Sequence, residues 1–238
     1  MRRLRAARRE TAADLVIVNG ENAAGVRGLT PDDAENIFDA GADVITTGNH
    51  AFGQRSIYTM LDDEPKLLRP ANFPGAAPGH GHVIVNVSGV RVLVMNLQGN
   101  VSMAQSLGCP FAAADAILRA EAGKFDLSVL DFHAEATSEK LALARYLDGR
   151  VSAIFGTHTH VATADEKILP RGTGYITDIG MSGPTEGILG VDAQTIIEQF
   201  RTALPQKYSV ASGPCAASGV VFDLGADGRC REISRVTF

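Results

Sequence analysis

Apolar and polar positions follow two rhythms along this 238-residue chain. Short apolar runs rich in β-branched residues predict strands at residues 14–18, 43–47, 126–132 and 151–155. Helical spacing of apolar residues between these runs predicts helices at 31–40, 111–123 and 138–149. Strands that alternate with helices are typical of a parallel sheet, because each crossover connection needs its own helix.

Turn residues modify this parallel pattern. Thr30 followed by Pro31 predicts a capped helix start. Residues 82–97 contain two apolar runs joined by Ser-Gly, and Asp227-Gly228 joins two more near the C-terminus, so we expect hairpins and a mixed sheet. A glycine-rich stretch with short strands, 164–190, precedes a helix at 192–203. Without linkers or repeats, residues 1–238 are expected to form a single domain.

Composition narrows the class of protein. Hydrophobic residues make up 45% of the chain and charged residues 21%, which is ordinary globular usage. The absence of a long apolar run or a secretion signal predicts a cytoplasmic protein with no membrane partner. The first ten residues hold five of the 22 basic residues and one of the 27 acidic ones. We interpret this start as a short helix, because the acidic remainder argues against an extended nucleic-acid surface.

Polar clusters follow four of the predicted strands, at the ends where ligands bind in open α/β sheets. They are Asn19-Gly20-Glu21-Asn22, Gly48-Asn49-His50, His133, and His158-Thr159-His160. A carboxylate, amides and imidazoles together suit divalent first-row metals, whereas calcium prefers oxygen alone. His158 and His160 are two apart and can serve adjacent ions, which Glu21 can bridge. The pattern indicates a two-metal site that activates water for phosphoryl transfer.

Each signal also has an ordinary structural interpretation. A lone histidine at a strand end more often bonds to the backbone, and His80 and His82 precede a strand, so we interpret them as surface residues. The glycines at 20, 25 and 28 lack the Gly-Lys-Ser/Thr of a phosphate loop, and no G-x-S-x-G elbow is present. Cys109, Cys215 and Cys230 show no zinc spacing and no evident base. Hydrolysis here is expected to use water.

The words NGENAAG, TTGNHAF, VMNLQGN, DFHAEATSEK, FGTHTHV and YITDIGMSGP resemble the calcineurin-like metallophosphoesterases, specifically their YmdB-like branch. The similarity runs from about Asp14 to the C-terminus. The resemblance implies a four-layer α/β/β/α sandwich with a binuclear centre of iron or manganese, zinc being an alternative. It also implies a phosphodiesterase that hydrolyses small phosphodiesters, with 2′,3′-cyclic nucleotides as the known substrate class.

Carried over to this sequence, the resemblance implies a role for each clustered residue. Glu21 would bridge the two metals, and His160 would belong to the second one. The first metal site would be completed by Asn49, His133 and His158. Two further residues would act on the substrate: His50 would protonate the leaving oxygen, and Asn22 would contact phosphate or metal. Asn96 at a strand end is a further candidate or a turn residue, and Asp178 and Met181 are expected to shape a loop.

One departure from the family pattern concerns the N-terminus. The family begins with a strand ending in Gly-Asp whose aspartate binds metal, and no such strand precedes Asp14. We expect a truncated reading frame, the alternative being a natural loss. As given, the chain is expected to be less stable, to fill the His160 metal site incompletely, and to expose a sheet edge through which copies could associate.

Three function classes therefore remain open at this point. The first is a metal-dependent phosphodiesterase. The second is a non-catalytic regulator or scaffold with an incomplete metal site, which the missing aspartate favours. The third is a nucleic-acid-binding module that uses the arginine-rich start, for which affinity would depend on salt and on residues 1–10.

Overall fold

The structure, a computed structural model, describes residues 2–25 and 27–238. The first half of the chain alternates helices with short strands. Its elements are α1 (Arg2–Glu10), β1 (Ile17–Asn19), α2 (Pro31–Asp39), β2 (Val44–Thr46), a 3₁₀ turn (Arg55–Ile57), α3 (Tyr58–Asp63), β3 (Leu67–Leu68), β4 (His82–Val87), β5 (Val90–Gln98) and α4 (Pro110–Ala120).

The second half of the chain continues this alternation of helices and strands and ends in a long hairpin. Its elements are β6 (Leu127–His133), α5 (Thr137–Leu147), β7 (Ala153–Thr157), β8 (Lys167–Ile168), β9 (Gly174–Ile176), β10 (Gly183–Pro184), α6 (Ala193–Thr202), β11 (Cys215–Ala216), β12 (Ser218–Leu224) and β13 (Cys230–Thr237). No helix in the described ranges has the length and apolar character that crossing a bilayer requires.

Two sheets carry the architecture. A three-stranded parallel sheet has the order β1-β2-β3, and a six-stranded sheet has the order β4-β5-β6-β7-β9-β8. In the larger sheet β5, β6, β7 and β9 run parallel, while β4 and β8 are antiparallel to their neighbours. The sheet is therefore mixed, as the Ser88-Gly89 turn between β4 and β5 predicts.

Three buried clusters separate four layers. Ile45 and Leu61 belong to a cluster between the small sheet and helices α2 and α3. Val94 and Phe155 lie in a second cluster between the two sheets, to which the β12–β13 hairpin contributes Phe222. Leu143 belongs to a third cluster under α4 and α5. Because a sheet with two apolar faces must be covered on both, the result is an α/β/β/α sandwich, and the predicted fold class is confirmed.

Local chemistry explains where α2 begins. The Thr30 side chain accepts a hydrogen bond from the Asp33 amide at 3.2 Å, and the Asp33 carboxylate accepts one from the Thr30 amide at 3.4 Å. This reciprocal pair satisfies two backbone donors that the first helical turn leaves free, and Pro31 occupies the first helical position. The helix predicted at 31–40 is observed to end at Asp39.

The arginine-rich start forms α1, which packs against the body. Arg8 donates to the carbonyl oxygens of Gly41 at 3.0 Å and Asp14 at 2.8 Å, and pairs with the Asp43 carboxylate at 3.1 Å. The helix leads directly to β1, which begins at Ile17 and is shorter than the predicted run 14–18. Residues 2–13 thus contain no strand ending in Gly-Asp.

Candidate functional site

The candidate site lies where strands of both sheets end. Glu21 and Asn22 follow β1, and Asn49 and His50 follow β2. From the larger sheet, His133 is the last residue of β6, and His158 and His160 follow β7. Since these strands are parallel within each sheet, their carboxyl ends present side chains to a common edge. Sequence spacing predicts this placement correctly.

Four of the predicted side chains meet around one atom, Nε2 of His133. It lies 2.9 Å from Glu21 Oε2, 2.9 Å from Asn49 Oδ1 and 3.0 Å from His158 Nδ1. Both Glu21 and His133 are buried, with 3% and 1% of their surfaces exposed. The four residues come from four different strand ends, so only the folded chain assembles them.

The tautomer of His133 follows from the hydrogen bonds behind it. Thr157 Oγ1 donates its only hydrogen bond to Asp131 Oδ1 at 2.7 Å. It therefore accepts a hydrogen bond from His133 Nδ1 at 2.9 Å. Nε2, which carries a lone pair in a neutral ring and an N–H in a protonated one, then faces a carboxylate oxygen, an amide oxygen and a second imidazole. Three neighbours of this kind cannot be satisfied by one ring nitrogen.

A shared cation would satisfy all four groups. Two ligands at right angles and about 2.1 Å from a first-row metal lie about 3.0 Å apart, and each of the three other donors lies about that far from His133 Nε2. In the described residues, however, no three His, Cys, Asp or Glu side chains point at one centre as a complete site. The donors surround His133 Nε2 itself, and one of them is an amide. The donor chemistry and spacing fit a metal, although the arrangement is not a finished coordination sphere.

Asp131 is a residue of the candidate site that sequence reasoning missed. It is fully buried in β6, where Oδ2 accepts from Thr46 Oγ1 at 2.6 Å and Asn19 Nδ2 at 2.9 Å. Burial raises its pKa, against the charge of His133 and three side-chain hydrogen bonds. An aspartate inside the apolar run LSVLDF is the signal that could have found it, because a buried carboxylate needs a reason. Through Thr157 it orients the imidazole of His133.

Glu21 connects the two sheets at the site. While Oε2 faces His133, Oε1 accepts from the backbone amide of His50 at 2.6 Å. Burial acts to raise the pKa of Glu21, but the charge and hydrogen bond of His133 and the His50 amide outweigh it, so the pKa is lowered. Glu21 is therefore held as a carboxylate with both oxygens engaged.

Gly48 allows the close approach of the two sheets at this point. A Cβ atom at this position would overlap the imidazole ring of His133. Only glycine leaves room for the ring to pass over the backbone that leads to Asn49.

The His158-Thr159-His160 loop has a strained backbone. His158 and His160 adopt φ angles of 100° and 63°, which residues with side chains rarely occupy. Asp178 holds the loop, because Oδ2 accepts from the Thr159 amide at 3.1 Å and from Thr159 Oγ1 at 2.8 Å. Lys140 of α5 pairs with the same carboxylate at 2.8 Å, and both side chains are 1% exposed.

His158 is held neutral by its surroundings. Burial, followed by the charge of His133, lowers the pKa of His158 to about 4. Its Nε2 lies 3.2 Å from Glu135 Oε2, a contact with an exposed carboxylate that sequence reasoning did not predict. A neutral imidazole is the form that binds metals.

His160 and Asn22 form the sparser end of the site. Their side chains are 3.5 Å apart, which is the only hydrogen-bond contact of the His160 ring among the described residues. The other polar atom of the amide, Asn22 Oδ1, is buried and accepts no hydrogen bond from the described part of the chain. An orphaned oxygen beside an imidazole fits a second cation or a substrate group.

His50 lies beside the His133 cluster without joining it. Its Nε2 is 3.2 Å from Asn49 Nδ2, and the residue is half-buried. Burial lowers the pKa of His50, against the charge of Glu21, and the charge of Arg27 lowers it further. An ionisable group next to a candidate ligand, with one face open to solvent, is suited to proton transfer.

The remaining candidate residues make contacts that support the fold or lie at the surface. Asn96 is buried inside β5 and donates to the Thr47 and Leu68 carbonyl oxygens at 2.8 and 3.2 Å, so it ties the sheets together and is not a turn residue. Asp178 shapes the loop as expected, while Met181 packs near Gly183 and Gly190. His80 is exposed, and His82 is the first residue of β4 and pairs with Glu121 at 3.5 Å.

Comparison with solved structures defines the class of this fold. A phosphatase from Mycoplasma pneumoniae, described as novel, superposes with a TM-score of 0.92 at 31% identity, over 99% of this chain and 85% of that chain. A 5′-nucleotidase precursor from Thermus thermophilus superposes with a TM-score of 0.60 at 15% identity, over 98% of this chain and 47% of that one. The second match shows the fold alone, and together they define a metallophosphoesterase-like fold.

Sequence comparison then gives the family. The family model described as YmdB-like protein matches residues 1–236, and the chain belongs to this family. A 2′,3′-cyclic-nucleotide 2′-phosphodiesterase of Bacillus subtilis (strain 168) is 51% identical over 208 residues, which are 87% of this chain and 78% of that protein. The resemblance read from the sequence motifs is confirmed at the level of the family.

Proposed function

We propose that this protein is a metal-dependent phosphodiesterase that hydrolyses 2′,3′-cyclic nucleotides. The observation that carries the proposal is the meeting of Glu21, Asn49, His133 and His158 around one atom at 2.9 to 3.0 Å. The name of the relative that is 51% identical supports the reaction and the substrate class. The small phosphodiester is the expected partner.

The chemistry of the donor set supports a proposal of ligands for two cations. One cation would be held by Asn49, His133, His158 and one oxygen of Glu21. A second would be held by His160 and Glu21, with Asn22 in contact with this cation or with the phosphate. Mixed imidazole and oxygen ligands suit iron or manganese, with zinc as an alternative. When bound, such a pair supplies Lewis acidity and a water molecule of lowered pKa.

The residues of the chain complete the reaction. Water oxygen forms the new bond to phosphorus, and one ester bond of the cyclic phosphate breaks. His50 in its protonated form gives a proton to the departing ribose oxygen, because it is the ionisable ring beside the cluster that binds no cation, and the proton that the attacking water loses restores His50 through solvent. Asp131 and Thr157 keep His133 in the tautomer that presents Nε2 to the site.

A comparison of three histidine variants tests this proposal. With Mn²⁺ and 2′,3′-cyclic AMP, we expect His50→Ala to lower kcat by about 10² to 10⁴ without changing the metal content. His158→Ala should lose bound metal as well as activity. His80→Ala is the control, since His80 is exposed and away from the site. Equal rates in all four proteins would contradict the proposal.

The non-catalytic alternative rests on the sparse His160 end. If the chain acts as a regulator or scaffold, the protein will bind Mn²⁺ but the Mn²⁺-loaded protein will hydrolyse no phosphoester. The single-domain organisation over 1–238, the cytoplasmic location and association between copies stay predictions. The arginine-rich start is an α1 helix held by Arg8, which favours no nucleic-acid role.

A further inference from the structure

An open surface cavity of about 510 Å³ is lined in part by the loops after β1 and β2, which also carry Asn22 and His50. This volume is within the range of about 300 to 1,000 Å³ that is typical of small-molecule sites. None of the proposed metal ligands lines it. Its polar and aromatic walls come from Arg27, Gln54, Gln199, Gln206 and Tyr208.

One wall of the cavity is continuous with the site. The loop after β1 carries Asn22 at the site and Arg27 at the cavity, and the turn after β2 carries His50 and Gln54 in the same way. Gln54 Nε2 donates to the Arg27 carbonyl oxygen at 3.0 Å, which joins the two loops.

The loops also meet backbone to backbone. A Cβ at Gly28 would lie 3.0 Å from the Gln54 amide nitrogen, so no larger residue fits there without a shift. The Gly53 amide donates to the His50 carbonyl oxygen at 2.8 Å. The cavity therefore has a fixed position relative to the imidazole that is proposed to meet the leaving oxygen.

The opposite wall is built by α6 and the segment that follows it. Tyr208 and Gln206 are half-buried there, as is Gln199 on the helix. An aromatic ring supplies a stacking surface that accepts any base, and amide side chains both donate and accept hydrogen bonds at base edges. The guanidinium of Arg27 adds a cation at the mouth.

We propose that this cavity binds the nucleoside of a 2′,3′-cyclic mononucleotide, with Tyr208 stacking on the base and the glutamine amides contacting its edge. The inference rests on the proposed function, because it places the phosphate at the Glu21 and His133 end. In a cyclic nucleotide the ribose carries both the phosphate and the base, and the loops after β1 and β2 each carry one residue of the site and one residue of the cavity. Tyr208 is thus a specificity-determining residue.

Two substrates distinguish an effect on nucleoside binding in the cavity from an effect on the hydrolysis itself. Ethylene phosphate has a five-membered cyclic phosphodiester like that of 2′,3′-cyclic AMP but no ribose and no base. Stacking of one base on an aromatic ring contributes about 1 to 3 kcal/mol, so Tyr208→Ala should raise KM for 2′,3′-cyclic AMP at least fivefold. Hydrolysis of ethylene phosphate, followed by phosphorus NMR, should change less than twofold. Tyr208→Phe keeps the ring and should behave as the wild type.

A binding measurement distinguishes failure of this inference from failure of the proposed function. Adenosine 3′-monophosphate is titrated calorimetrically into the metal-free wild type, Tyr208→Ala and Tyr208→Phe. Weaker binding only in Tyr208→Ala supports the inference even if the wild type hydrolyses neither substrate. Equal binding in all three proteins overturns it, and so does an equal loss of activity on both substrates in Tyr208→Ala.

Discussion

His133 and His160 occupy the two ends of the same site, and the chain holds them differently. His133 ends a central strand, is 1% exposed, and is fixed on one side by Thr157 and Asp131 and on the other by three donor atoms. His160 follows a strand, has a positive φ angle, and its ring contacts Asn22 at 3.5 Å. His133 itself is placed by strand pairing, and His160 by a loop.

The difference indicates how the fold would preorganise a candidate metal ligand. Where ligands and their supporting residues sit in register on adjacent strands, the backbone hydrogen bonds of the sheet fix their spacing. The pairing of His133 with Thr157 is such a register position. Where a ligand sits on a loop, its position depends on side-chain contacts with less cooperativity. We therefore expect a tight cation at the His133 end and a weaker one at the His160 end.

The largest effect is expected from Gly48→Ala, which breaks the well-built end. The added methyl group overlaps the His133 ring, and overpacking of this kind typically costs about 1 to 3 kcal/mol. Denaturant unfolding measures the stability, and metal analysis should show that the tight cation is lost. Gly75→Ala is the matched control, since a Cβ there meets nothing within 4 Å. If both variants keep the metal, the close approach at Gly48 is unimportant.

A smaller effect is expected from removing the charge behind His133. Asp131→Asn should weaken the tight Mn²⁺ site about 10- to 100-fold, the usual cost of losing a partner behind a metal ligand. Asn22→Ala should leave the tight site unchanged and weaken the other. Calorimetric titration with Mn²⁺ resolves the two. Equal losses from both variants would show that the two ends are not held differently.

The smallest effect near neutral pH is a pH dependence of stability in the metal-free protein, which grows as the solution is acidified. His158 has a pKa of about 4 when folded, against 6.5 for the ordinary side chain. Between pH 6.5 and 4, His158 therefore binds a proton in the unfolded chain but not in the folded one. The free energy of unfolding falls as the pH drops through this range. His158→Gln should flatten this part of the urea midpoint against pH. An unchanged profile would mean that His158 is not held neutral.

The fold was largely predictable from local patterns, because most elements are long enough to show a period. The Thr30-Pro31 start of α2 and the Ser88-Gly89 turn occur where the sequence predicts them. The two-residue strands β3, β8, β10 and β11 were not predictable, since a pair of residues has no periodicity. Their pairing depends on the tertiary neighbours that cover them.

Site residues that follow the ends of strands could be predicted from the sequence. Contacts that depend on the register between two strands could not. Clusters after four strands indicated Glu21, Asn49, His133 and His158, and the structure brings these together. The partnership of Asp131 with Thr157 depends on the alignment of β6 with β7, which no local pattern encodes. The metal roles of these residues stay predictions.

The buried ion pair between Lys140 and Asp178 contains none of the candidate site residues, yet it constrains the geometry of the candidate site. The same carboxylate that neutralises an amino group under α5 also holds the turn between two imidazoles. Selection for a durable fold and selection for a functional centre therefore act on one atom pair. An uncharged residue at position 140 would leave the buried Asp178 carboxylate unpaired, so a helix outside the candidate site contributes to the position of the loop that carries His158 and His160.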